Sequence, residues 1–106
     1  MNVTKYNKLV RDKIPEIIEN SGRKAITEKV SDEQYFKLLN EKLDEEHKEY
    51  LASLRVEELA DLVEVIYAIL EYKKVSIEDF EKMRIEKAAK RGSFKERILL
   101  KEVIEG

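Results

Sequence analysis

The stretch EEHKEYLASLRVEELAD, residues 45–61, decides the fold because two helical segments rich in acids meet here at a short break. Before the break, the spacing of apolar residues predicts a helix from about residue 32 to 52. After it, a second helix should run from about residue 56 to 73. Because the connection around Ser53 and Leu54 is short, we expect the two helices to form an antiparallel hairpin.

Acids stand on both of these helices where a core residue is expected. The inward stripes are predicted to be Phe36, Leu39, Leu43, Glu46 and Tyr50 on the first helix, and Leu54, Glu58, Asp61, Val65, Ala68 and Tyr72 on the second. Glu49 lies beside the first stripe. Glu49 and Glu58 are equidistant from the break, as are Glu46 and Asp61. Each pair should therefore lie level across an interaxial gap of roughly 8–10 Å.

Four carboxylates in one partly desolvated seam repel one another and need protons or a counterion. A divalent ion that prefers oxygen ligands, Mg²⁺ or Mn²⁺, would supply the positive charge. The alternative is a solvated helix face, since the chain has 23 acidic residues and such spacings are common in it. Glu45, Glu57 and His47 fit solvated positions better than ligand positions, and spacing alone leaves both interpretations open.

Composition excludes several other kinds of site. The chain has no cysteine, so disulfides and thiolate metal sites are impossible, and its single histidine, His47, rules out a histidine-rich zinc site. A formal net charge of -2 gives no overall attraction for polymeric nucleic acid or an anionic membrane. Without an apolar leader or spanning segment, we expect a cytoplasmic protein.

The remaining helix-capping and helix-breaking residues complete an all-α prediction for a single domain, residues 1–106. A short helix should occupy residues 13–20 after a non-helical amino-terminal arm, and Ser76 should cap a fourth helix that ends at Gly92. Residues 94–103 fit a strand or a helix. The predicted architecture is an antiparallel bundle of about four helices, with a short carboxyl-terminal strand as one alternative.

The later part of the third helix is apolar nearly all round, from Val63 to Leu70. Such a helix needs partners on more than one side, and a chain of 106 residues has few helices to provide them. We therefore expect a homo-oligomer, most simply a two-fold dimer, with a tetramer as the larger alternative.

Two basic groups are candidates for phosphate contacts. Arg84, Lys87 and Arg91 fall on one face of the fourth helix, where they would also stabilise the carboxyl end of the helix. In the amino-terminal arm, Lys8 and Arg11 could face phosphates or simply lie exposed. The arm lacks regularly spaced aromatic residues and is a poor platform for nucleic acid.

The motifs EEHKE at 45–49 and EELAD at 57–61 resemble the EExxE…ExxD signature of the MazG-like, all-α nucleotide pyrophosphohydrolases. The flanking sequences YNKLVRDKIPEII and KAAKRGSF resemble the small phosphoribosyl-ATP pyrophosphohydrolase-like branch of that superfamily. Together these motifs cover most of the chain.

The resemblance implies a Mg²⁺-dependent enzyme that cleaves a nucleoside triphosphate to its monophosphate and pyrophosphate. It implies Mg²⁺ ligands at Glu46, Glu49, Glu58 and Asp61, a catalytic glutamate among Glu45, Glu46 and Glu49, and triphosphate contacts at Lys87 and Arg91. House-cleaning of non-canonical nucleotides is one role within this activity. The rival hypotheses are hydrolysis of phosphoribosyl-ATP and a helical dimer that binds nucleotide without catalysis.

Overall fold

The computed structural model describes residues 2–106, and within them it contains four helices and no strand. The helices are α1 (Ile14–Asn20), α2 (Asp32–Ser53), α3 (Val56–Tyr72) and α4 (Ile77–Arg91). The chain forms two compact units, Met1–Lys74 and Val75–Gly106. The all-α prediction and the order of the four helices are confirmed.

Local sequence signals begin and end these helices as expected. Ser31 caps α2 by accepting a hydrogen bond from the backbone N–H of Gln34, and Ser76 caps α4 by accepting one from the N–H of Asp79. Pro15 lies in the first turn of α1, where its missing N–H costs no hydrogen bond. Gly92 follows α4 with a φ of +83°, a conformation that glycine adopts without strain.

Helices α2 and α3 pack against each other as an antiparallel hairpin. Near the start of α2, the ring of Phe36 stacks on that of Tyr72 at the end of α3, with 4.7 Å between ring centroids. The buried apolar side chains of the described residues are Leu39 on α2 and Val65 and Leu70 on α3. The core of residues 2–106 is therefore thin and is concentrated in this hairpin.

The hairpin turn contains one departure from the predicted stripes. The sequence pattern predicts Leu54 on the inward face of α3, but Leu54 is the C-cap of α2, with a φ of 59° and 68% exposure. The periodicity of α3 does not reach this residue because α3 begins at Val56. The backbone N–H of Leu54 still donates a helical hydrogen bond to the carbonyl of Tyr50, and the left-handed conformation of Leu54 then ends α2.

The segment after α4 forms neither of the elements considered for it. Residues 97–106 have no regular secondary structure, so the optional carboxyl-terminal strand is absent among the described residues. A strand needs a neighbouring strand for its backbone hydrogen bonds, and residues 2–106 offer none. The apolar side chains here, including Phe94 and Ile104, are exposed.

None of the helices described in residues 2–106 is both long enough and apolar enough to cross a lipid bilayer.

Candidate metal centre

Glu46 is a carboxylate in the core of the hairpin. It lies on α2 in line with Leu39 and is 7% exposed, the only charged residue among residues 2–106 that is buried. The helical period dictates this position, because residue 46 is seven positions after residue 39, close to two turns. The packing that buries Leu39 therefore buries Glu46 as well.

Two groups of acids meet at Glu46. Glu45, Glu46 and Glu49 each offer a carboxylate oxygen within 4.8 Å of the others, and so do Glu46, Glu58 and Asp61. We call these five residues the acidic cluster. Because the antiparallel hairpin sets Glu46 level with Asp61, the carboxylates of α2 and α3 converge on a shared point.

One oxygen of Glu46 has no partner within the described chain. Its Oε2 atom is buried and makes no hydrogen bond. Burial and the neighbouring charge of Glu49 raise the pKa of Glu46 above its ordinary value, against the opposing charge of Lys42. A buried carboxylate oxygen without a hydrogen bond is costly unless a proton or a cation satisfies it.

Three basic side chains reach the rim of the acidic cluster. Lys42, one turn before Glu46 on α2, places its Nζ atom 3.5 Å from Glu46 and 3.6 Å from Glu45. From the amino-terminal arm, Lys8 Nζ lies 3.2 Å from Glu45 Oε1 and Arg11 Nη2 lies 2.7 Å from Asp61 Oδ1. The arm therefore crosses the hairpin at the acidic cluster.

The charges of this region do not balance. With every group ionised, the five carboxylates of the acidic cluster exceed the three cations at its rim by two negative charges. Such an excess can be removed by protonation or by one divalent cation. Carboxylate oxygens alone, with no sulfur or imidazole, fit a hard ion such as Mg²⁺ or Mn²⁺. The orphaned oxygen of Glu46 and the donor set both fit such an ion.

The structure brings together the four residues proposed as metal ligands, but not as two separate cross-pairs. Glu46 and Asp61 share one triad, as their spacing predicts, whereas Glu49 and Glu58 belong to different triads that meet at Glu46. Glu45, for which the sequence leaves open an outward position or one beside the ligands, lies half-buried within the first triad. His47 is exposed, as expected.

The basic residues predicted to contact phosphates divide between the two units. Lys8 and Arg11 lie at the acidic cluster in the first unit, whereas Lys87 and Arg91 are exposed on α4 in the second. Arg84, on the same predicted stripe, pairs with Glu81 within α4. The phosphate roles of these residues stay predictions.

Sequence reasoning overlooked Lys42 as a member of the site. The signal was present, because Lys42 precedes Glu45 by three residues and Glu46 by four, the spacing at which side chains meet on a helix. It becomes noticeable only when Glu46 is known to be buried.

Comparison with known proteins assigns no activity to this geometry. No protein-family model matches the chain, and no solved structure matches it. The chain is 49% identical over 45 residues to an uncharacterized protein from Mycolicibacterium smegmatis (strain ATCC 700084 / mc(2)155). The alignment covers 42% of the chain and 46% of that protein, so the chain spans about half the length of this relative.

Proposed function

We propose that the protein is a Mg²⁺-dependent nucleoside triphosphate pyrophosphohydrolase. Water would attack the α-phosphorus, the bond to the bridging oxygen of the β-phosphate would break, and nucleoside monophosphate and pyrophosphate would leave. The single observation that carries the metal centre is Glu46, a buried carboxylate with an unpaired oxygen where two acidic triads meet. The reaction class follows from the resemblance of residues 45–61 to the MazG-like signature.

Four residues would hold the ion: Glu46, Glu49, Glu58 and Asp61. They offer oxygen ligands from both helices of the hairpin, so a cation bound here would also hold α2 and α3 together. Mg²⁺ at this position would supply Lewis acidity toward phosphate oxygens and toward the attacking water. One of the three carboxylates of Glu45, Glu46 and Glu49 would accept the proton of that water.

Lys8 and Arg11 have a second task in this proposal. In the structure, each neutralises a carboxylate of the acidic cluster. A divalent cation at the cluster would take over that neutralisation and leave the lysine and arginine available to the triphosphate. Arginine suits this role because its planar fork matches two phosphate oxygens at once. Lys87 and Arg91 are assigned to the leaving pyrophosphate by resemblance alone.

The test is a product analysis on normal and modified nucleoside triphosphates, with phosphoribosyl-ATP included. We expect ³¹P spectra to show monophosphate and pyrophosphate in equal amounts, only when Mg²⁺ is present. Glu46→Gln should abolish this turnover because it removes the shared ligand at nearly constant shape. The matched control is Glu64→Gln, an exposed acid of α3 outside the acidic cluster, which should keep full activity.

Three results would contradict the proposal. Nucleoside diphosphate and phosphate as products would indicate a different reaction. Full turnover in Glu46→Gln would remove the acidic cluster from the chemistry. Nucleotide binding without pyrophosphate release from any compound of the panel would favour the non-catalytic rival.

A further inference from the structure

A cavity lies between the amino-terminal arm and α2, beside the acidic cluster. It encloses about 280 Å³ and is lined by residues 6–9 of the arm and by one face of α2. The α2 side includes Leu38 and Glu41, and the arm side includes Tyr6 and Asn7. We call this space the arm cavity.

The arm cavity and the acidic cluster share a wall. Glu45 lines the cavity and is also a member of the first acidic triad. Lys8 and Lys42 line the cavity as well, and their ammonium groups lie within 3.6 Å of Glu45. With a divalent cation offsetting the excess negative charge of the acidic cluster, a ligand that spans the two regions could place negative charge beside that cation and the two lysines.

Other residues that line the arm cavity have a different chemistry. Tyr6 offers an aromatic face that is largely solvent-exposed, with 66% of the residue accessible, and Leu38 offers an apolar wall. Asn7 carries a carboxamide, which both donates and accepts hydrogen bonds. Asn7 also has a φ of 48°, a conformation that asparagine tolerates better than most residues. An aromatic face with a nearby amide suits a flat heterocycle with a polar edge.

We propose that the arm cavity binds the nucleobase and ribose of the nucleotide whose phosphates lie at the acidic cluster, with Tyr6 stacking on the base. The inference rests on the proposed function and adds the site that recognises the nucleoside. At about 280 Å³ the cavity lies just below the range for drug-sized ligands, about 300–1,000 Å³, so it suits a nucleoside and not a whole triphosphate. The phosphates extend past Glu45 toward the ion.

Binding of the two reaction products distinguishes the arm cavity from the acidic cluster. A nucleoside monophosphate carries the nucleoside, whereas pyrophosphate carries only phosphate charge, and neither requires turnover. Calorimetric titrations with Mg²⁺ would use AMP, GMP, CMP and UMP in turn, and then pyrophosphate. The proteins are the wild type, Tyr6→Ala, Tyr6→Phe and Val3→Ala, the last an exposed arm residue outside the cavity lining.

For the monophosphate that binds most tightly, we expect Tyr6→Ala to weaken affinity about tenfold, within the range found for one base stacked on an aromatic ring. Tyr6→Phe keeps the ring and should restore most of that affinity. Val3→Ala should match the wild type, and pyrophosphate should bind all four proteins within about twofold, because it makes no contact with a base.

Equal weakening of monophosphate and pyrophosphate would overturn the proposal, since Tyr6 would then act only by holding the arm. Unchanged monophosphate binding in Tyr6→Ala, or no monophosphate binding by the wild type, would overturn it too. Failure of the parent proposal gives a different result: nucleotides bind in a Tyr6-dependent way, yet no triphosphate releases pyrophosphate.

Discussion

At the scale of single residues, the buried charge of Glu46 should destabilise the metal-free fold. Because burial and Glu49 raise its pKa, the folded protein favours the protonated form more than the unfolded chain does. The penalty is absent well below the ordinary pKa, taken as 4.5, and grows as the pH rises from there through the raised pKa of the folded state. Ionisation of Glu46 therefore lowers the free energy of unfolding as the pH rises through this window.

The first prediction follows from this penalty. In EDTA at pH 7, Glu46→Gln should raise the free energy of unfolding by about 0.5–2 kcal/mol, the common range for a single stabilising substitution. The gain should shrink toward pH 4.5. Urea unfolding at both values measures it. Glu64→Gln serves as the control. If Glu46→Gln at pH 7 raises the free energy of unfolding no more than Glu64→Gln does, or lowers it, the charge of Glu46 does not destabilise the fold.

The second prediction concerns Arg11, whose partner is Asp61. With side-chain exposures of 55% and 42%, this ion pair should contribute less than about 1 kcal/mol to stability. Arg11→Ala should therefore leave the melting temperature nearly unchanged while lowering kcat/KM for a nucleoside triphosphate about a hundredfold. Arg23→Ala is the control, since Arg23 bonds to Ser21 away from the cluster. Unchanged kcat/KM in Arg11→Ala would exclude Arg11 from the triphosphate contacts.

At the scale of elements, the α2–α3 turn should be stabilised by relaxing its backbone. Leu54 holds a left-handed conformation that costs a non-glycine residue about 1 kcal/mol, and its side chain is mostly exposed. Leu54→Gly should raise the free energy of unfolding by about 0.5–1 kcal/mol, whereas Leu54→Ile, with its β-branch, should lower it. Chemical unfolding of the three proteins distinguishes them. A loss of stability in Leu54→Gly would mean that leucine packing outweighs the strain.

Element boundaries were predictable because their causes are local. The helix ends depend on Ser31, Ser76 and Gly92, which act on backbone groups within a few residues. Their effects can therefore be predicted from the sequence. The inward position of Glu46 was predictable for a similar reason, since helical period and a short turn fix the register of the hairpin. Leu54 was misplaced because the period of α3 was extended past the start of the helix.

The arm contacts were beyond the reach of local reasoning. Lys8 and Glu45 are separated by 37 residues, and no period or cap connects them. Lys8 and Arg11 were candidates only for their charge, and the sequence left an exposed arm equally open. Their positions at the acidic cluster, and the cavity beside Tyr6, required the tertiary structure.

At the scale of the whole molecule, α3 exposes a short apolar stripe. Leu59, Val63 and Tyr67 recur every four residues along one face, and each is about 40% exposed. A contiguous exposed apolar patch is one feature of protein interaction sites. The oligomer predicted from the sequence stays a prediction, and this stripe is where a substitution can test it.

Light scattering should therefore give at least twice the chain mass of 12.5 kDa at concentrations of about ten micromolar. Val63→Glu should shift the protein toward the monomer, because it puts a charge in the middle of the stripe, whereas Glu64→Gln should not. A wild-type mass of 12.5 kDa would refute the oligomer and leave the exposed stripe without a partner copy.

Binding of Mn²⁺ to the intact protein tests the metal centre most directly, because it depends neither on the choice of substrate nor on turnover. Electron paramagnetic resonance would follow free Mn²⁺ during titration of the wild type, Glu46→Gln and Glu64→Gln. We expect saturable binding by the wild type and Glu64→Gln, competition by Mg²⁺, and at least about tenfold weaker binding by Glu46→Gln, which lacks a shared ligand. Equal Mn²⁺ affinity in all three proteins would contradict a metal centre at Glu46.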